Sequence, residues 1–186
     1  MSRTFPELVP IAIEEIKTIL SNVEQDAFDQ FCRAVAQSKR ISLYGLGREG
    51  LALRGFCMRL MHLGLDAQFA GDSTAGPIGV SDLLIVTSGP GNLTLTRAMI
   101  QLGRQAGATV AVITAQPNQP DPQAADIVLT IPAQTMADDR GGESLLAMGT
   151  AFEIAMGIVF DLAVLRLMNL VGAEPESMRA RHTNLE

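Results

Sequence analysis

Leu83-Leu84-Ile85-Val86-Thr87-Ser88-Gly89-Pro90-Gly91-Asn92 decides the fold of this chain. Five consecutive aliphatic or β-branched residues read as a strand buried on both faces, and the spacing after Asn92 predicts a helix from Leu93 to Ala106 that stops at Gly107. The Ser-Gly-Pro-Gly turn therefore lies at the start of a helix. Unpaired backbone N–H groups and the positive end of the helix dipole converge at such a junction and favour a phosphate or carboxylate. Ser88 and Thr94 are expected to add hydroxyl donors, with Gly89, Gly91 and Asn92 shaping the cup. The alternative is a plain strand-to-helix turn in which Asn92 caps the helix.

The same pattern recurs on either side. Upstream, apolar residues at helical spacing from about Pro6 to Gln37 predict two helices broken near Ser21-Asn22. Ile41 to Gly45 reads as a strand, followed by a glycine turn and a helix from about Glu49 to His62 ending at Gly64. Ala67 to Ala70, Thr109 to Thr114 and Ile127 to Ile131 complete a set of five strands. Strands alternating with helices, with apolar runs suited to burial on both faces, imply an α/β fold: a five-stranded parallel sheet flanked by helices. The prolines at 117, 120 and 122 restrict Gln116 to Gln123 to a connector with at most a short helical piece. Ala133 to Gly142 is polar and reads as a mobile loop over the sheet edge or over a site. Ser144 to Val171 reads as one long apolar helix with sparse charges, Glu153, Asp161 and Arg166. Such a helix has no broad face for water, so part of it is expected to pack against another subunit in a dimer or tetramer.

Composition bounds the function. With 186 residues and 47% hydrophobic content, the chain suits one domain spanning 1–186 rather than two. A net charge of −6 argues against a nucleic-acid partner, which requires a basic stripe. Cys32 and Cys57 lie far apart without metal-ligand spacing, so neither a disulfide framework nor a metal site is expected, and a reduced cytoplasmic setting fits. The first ten residues lack an apolar signal core, and no stretch is expected to supply the roughly 18 apolar residues of a membrane span.

Gly45-Leu46-Gly47-Arg48-Glu49-Gly50 matches the G-x-G-x-x-G spacing between a strand and a helix, and Asp72 stands after the second strand where a ribose hydroxyl would be held. A dinucleotide-binding protein is one reading. It is weakened by the competing glycine turn at Ser88 and by the two helices that precede the first strand.

Gly45 to Gly50 together with Met58-Arg59-Leu60-Met61-His62-Leu63-Gly64 and Thr87-Ser88-Gly89-Pro90-Gly91 resembles the sugar isomerase (SIS) domain family. The 6-phospho-3-hexuloisomerase branch is the nearest in pattern. The resemblance extends to Met148-Gly149-Thr150-Ala151-Phe152-Glu153 and to the tail Met178 to Glu186, and so covers nearly the whole chain. It implies a flavodoxin-like three-layer sandwich, a phosphorylated sugar as ligand and a homotetrameric enzyme with no cofactor. The implied reaction interconverts a 3-hexulose 6-phosphate and fructose 6-phosphate through an enediol(ate). Such chemistry needs a phosphate anchor, a base beside the acidic C–H and a donor to the developing oxyanion. By resemblance Glu153 is the base and His182 polarises a carbonyl or shuttles a proton, reaching a neighbouring subunit from the tail. Gly47 and Arg48 would contact the sugar or its phosphate. His62 is read as structural, and Arg54 and Arg59 as ion-paired or at a subunit contact.

Four residues depart from the pattern of that branch. Glu49 stands where Ser is usual, and Pro90, Asn92 and Leu93 replace Ser, Glu and Thr. Pro90 removes one N–H from the expected cup. A Glu49 carboxylate at about 5 Å from a phosphate would cost on the order of 3 kcal/mol at an effective dielectric near 20. Either Glu49 turns away or the ligand differs, and a non-catalytic phosphosugar-binding module is the alternative to an isomerase.

Overall fold

The structure, a computed structural model, describes residues 3–139 and 144–185. Five strands form one parallel sheet: β1 (Ile41–Tyr44), β2 (Ala67–Phe69), β3 (Leu83–Thr87), β4 (Thr109–Thr114) and β5 (Ile127–Thr130). Their order is β2-β1-β3-β4-β5. Registers such as Ile41 beside both Ala67 and Leu83 align the C-terminal ends of β1 and β3. From β1 the chain moves to one side for β2 and to the other for β3. The loops after β1 and β3 therefore diverge and leave a crevice, the usual ligand position in an open parallel sheet.

Seven helices accompany the strands among the described residues: α1 (Phe5–Ser21), α2 (Gln25–Gln37), α3 (Gly47–His62), α4 (Thr94–Gln105), α5 (Pro120–Gln123), α6 (Thr150–Val171) and α7 (Pro175–Ala180). Thr4 and Glu7 close a reciprocal cap at the start of α1. Alternation along β3 divides the core. Leu83 and Ile85 join the cluster under α2, α3 and α6, whereas Leu84 and Val86 join Ile100 of α4 on the opposite face. The strand reading of Leu83 to Thr87 and the helical layers on both sides agree with the sequence.

Two expectations are corrected. The long apolar segment becomes helical at Thr150 rather than Ser144, because Met148 (φ 60°) and Gly149 (φ 82°) take left-handed backbone conformations. The approach is pinned by the Glu15 carboxylate, which accepts from Ser144 Oγ and Leu145 N, and by Asp139, which accepts from Met148 N. Second, α6 is by length and composition capable of crossing a membrane, contrary to the reading that no segment would be. Ala151, Phe152, Ala155, Met156, Val159 and Phe160 of this helix are buried in the domain core, so it serves here as a core helix. The polar stretch from Ala133 carries hydrogen bonds as far as it is described, with Asp138 accepting from Thr135 N and Oγ1 and from Gln116 Nε2, and its Thr135 and Met136 line a small cavity with Glu49 and Glu153. The remainder of that expected loop, 140–142, lies outside the described residues.

Candidate active site

The turn after β1 brings Arg48 and Glu49 to the crevice on the first turn of α3. Close packing makes this possible. A Cβ on Gly50 would lie 2.4 Å from the Gly45 carbonyl oxygen, and one on Gly45 would lie 2.4 Å from Thr87 Oγ1. The glycines of the G-x-G-x-x-G stretch thus let α3 rest against the ends of β1 and β3. Asp72, the expected ribose partner, is held by Arg54 through two bonds of 2.8 and 3.0 Å. The dinucleotide reading loses its acidic anchor.

From the other side, α6 places Glu153 in its first turn. Its carboxylate pairs with Arg48 Nε across the crevice. Glu49 and Glu153 line the same small cavity of about 60 Å³, closed by Pro90, Thr135, Met148 and Phe152. Arg48 and Glu153, singled out from sequence, are therefore brought together, and Gly47 (φ 54°) leads into the turn that carries them.

Glu49 was not expected to contribute. Its carboxylate reaches across to the β3–α4 turn and accepts from the Gly89 amide, with both oxygens at 3.1 and 3.2 Å. Burial pushes its pKa up to about 7; the Gly89 amide and the nearby Thr87 hydroxyl oppose this rise, and the charge of Glu153 adds to it. Thr87 Oγ1 approaches without completing a well-formed hydrogen bond and is buried without another partner.

The expected anion cup at 88–94 is largely closed by protein carboxylates, which corrects its sequence reading. Ser88 Oγ is buried and donates to Asp121 at 2.7 Å, and Leu93 N donates to the same oxygen at 2.7 Å. Arg97 Nε donates to the other Asp121 oxygen at 3.1 Å, and Arg97 Nη2 donates to Asn92 Oδ1. Asn92 is therefore neither a helix cap nor a free ligand; Leu93 occupies the cap position. Gly91 N donates to Ser88 O, and Gly89 N is taken by Glu49. What remains open is the exposed first turn of α4 at Thr94. Among the described residues the Thr94 and Leu95 amides donate to no backbone carbonyl. Asp121 escaped the sequence reading because its Pro-Asp-Pro setting looks like a connector, and its partners lie 24 to 33 residues away.

His182 lies outside this crevice in its own protomer, and its expected reach is to a neighbouring subunit's site. Its ring packs on the buried His62 ring with centroids 5.3 Å apart, at the far end of α3. Arg181 fixes the tail there by donating to the His62 carbonyl oxygen at 3.1 Å. Fourteen helical residues separate Arg48 from His62, about 21 Å of helix. Within one protomer His182 is remote from Glu153. Among the described residues, no three His, Cys, Asp or Glu side chains gather as metal ligands.

A 3-hexulose-6-phosphate isomerase of Mycobacterium gastri is 34% identical over 173 residues, covering 93% of this chain and 87% of the relative. The chain belongs to the 3-hexulose-6-phosphate isomerase family. A second member, from Bacillus subtilis, is 29% identical and is matched over 98% of its length. No family model matches the chain. Among solved structures, a Methanococcus jannaschii protein with an inferred function of 3-hexulose-6-phosphate isomerase superposes with a TM-score of 0.84. It shares 27% identity, and the match covers 97% of this chain and 99% of that one. The five-stranded sheet and its helical layers are thus the sugar-isomerase architecture that the residue patterns resembled.

Proposed function

We propose that this protein interconverts 3-hexulose 6-phosphate and fructose 6-phosphate. The observation that carries the reading is Glu153, held by Arg48 in the wall of a small cavity at the C-terminal edge of the sheet. A carboxylate there is suited to take the C2 proton of the 3-ketose, generating a 2,3-enediolate, and to return it to C3. Family membership supplies the substrate class. The cavity has room for the reacting carbons, and the phosphate extends toward the exposed turn at Thr94, where the α4 amides and dipole favour an anion. Gly47, at φ 54°, makes the left-handed step into α3, and Gly89 and Gly91 let Glu49 and Gln119 pack close to the turn, while Ser88 and Asn92 hold the turn in shape through Asp121 and Arg97.

Oligomerisation belongs to the same reading. Ile154, Ile158, Leu162 and Leu165 form an exposed apolar stripe on α6, the face proposed to bury against another copy in a dimer or tetramer. His182 then acts in a neighbouring subunit's site. A cytoplasmic location follows from the metabolic substrate and from two free cysteines. No cofactor or metal is required by the proton transfer, and neither nucleic acid nor a membrane is proposed as a partner.

Purified protein incubated with fructose 6-phosphate should generate the 3-ketose by NMR. The carboxylates occupying the β3–α4 turn favour one competing reading, a module that binds a phosphosugar without turnover. Thermal stabilisation by fructose 6-phosphate with no product would select that reading.

A further inference from the structure

Glu49 does not fit the role of a displaced or solvated turn residue. It is tethered by the Gly89 amide, shares a cavity wall with Glu153 and faces it from the opposite side of the crevice. The two carboxylates have unlike surroundings. Glu153 meets the Arg48 guanidinium, whereas Glu49 meets only neutral donors, the Gly89 amide and the nearby Thr87 hydroxyl, and the apolar packing of Phe152 and Pro90. Two carboxyl groups in one site with contrasting environments divide acid and base roles between them.

We propose that Glu49 is a second catalytic residue of the isomerisation, acting in its acid form on the substrate oxygens while Glu153 acts on the carbons. This rests on the isomerase reading. In the forward direction Glu153 takes the C2 proton as the Glu49 O–H protonates the C3 carbonyl oxygen, giving a neutral 2,3-enediol. Glu49, now ionised, takes the proton of the C2 hydroxyl as the C2 carbonyl forms, and Glu153 returns its proton to C3. Each group ends as it began, and no outside acid, base or oxidant is consumed.

The surrounding charges suit this division. Arg48 on α3 is committed to Glu153. On the loop after β5, Asp138 is engaged by Thr135 and Gln116, and Asp139 accepts from Met148 N. The β3–α4 turn contributes the Gly89 amide and no charged group at the cavity. Because the Glu49 pKa lies at about 7, the acid form is available at neutral pH and is lost above it.

The test compares wild type, Glu49→Gln and Glu49→Ala across pH 5.5 to 9 with fructose 6-phosphate, with circular dichroism confirming the fold. Glu49→Gln retains an acceptor for Gly89 N and should lower kcat by about 10²-fold or more with little change in KM. The fall in wild-type kcat above about pH 7 should vanish in that variant, and acetate should restore part of the activity of Glu49→Ala. A Glu49→Gln protein with wild-type kcat and an unchanged alkaline limb overturns the inference, as does a Glu49→Ala protein that is folded, slow and indifferent to acetate. Glu153→Gln separates the two readings. Its inactivity beside an unaffected Glu49→Gln rejects only the role of Glu49, whereas a wild-type protein without turnover rejects both.

Discussion

Glu49 and Asp121 illustrate what a buried carboxylate does under two different sets of partners. Asp121 is fully buried, and three donors compensate its carboxylate: Ser88 Oγ, Leu93 N and Arg97 Nε. Removing it strands a buried hydroxyl and a backbone N–H. Asp121→Ala should therefore lose about 3 kcal/mol of stability in urea unfolding, and a loss under about 0.5 kcal/mol would refute this role. Glu49 has fewer donors and a pKa raised to about 7. A carboxyl group with a raised folded-state pKa binds its proton more tightly in the native state than in the unfolded one. Stability is then retained below about pH 4.5 and falls as the pH climbs toward and past 7, by about 3 kcal/mol for a shift of this size. Glu49→Gln should flatten that decline in denaturant titrations between pH 5 and 8. At this scale the sequence pointed to Arg48 and Glu153 through family resemblance, but their ion pair joins residues 105 apart and left no local signal. The departures at 49, 90, 92 and 93 were visible, whereas the Asp121 carboxylate that closes the β3–α4 turn was not. Hydrogen-bond partners distant in sequence are fixed by the tertiary approach of α3, α5 and α6.

At the scale of elements, hydrophobic runs and glycine stops were enough to locate the strands and most helices. Leu83 to Thr87 is an unbroken buried run, and Gly64 and Gly107 follow α3 and α4 with φ of 89° and 83°. The start of α6 was misplaced because apolar composition continues through Leu145, Leu146 and Ala147 while the backbone reverses at Met148 and Gly149. Periodicity reports which face is apolar and is silent about a left-handed step. The approach of α3 to β1 is equally local in its demand. Gly50→Ala would thrust a methyl to 2.4 Å from the Gly45 carbonyl oxygen, a backbone atom that has no rotamer to yield. A cost of about 2 kcal/mol in unfolding experiments is expected, with reduced turnover as Arg48 and Glu49 shift. Wild-type stability and activity in this variant would show that α3 is free to move away.

For the whole molecule, the decisive feature is the strand order, since β2-β1-β3-β4-β5 opens the crevice between the loops that carry Glu49 and Gly89. That order also leaves α6 with its buried face on the core and its Ile154-to-Leu165 stripe exposed. The sparse charges of α6 showed in sequence that it has no broad face for water, but the same length and composition also suit a membrane span, which the sequence reading had excluded. If the stripe joins copies, sedimentation of wild type should show an oligomer, and Leu162→Glu should shift it toward monomer with the fold retained. A wild-type monomer at micromolar concentration would remove the interface. The central claim is narrower: Glu153 moves a proton between neighbouring carbons of a hexulose phosphate. It is tested most directly by the turnover of fructose 6-phosphate by folded Glu153→Gln beside wild type. The account predicts an active wild type and a variant slower by about 10³-fold or more; equal rates would contradict it.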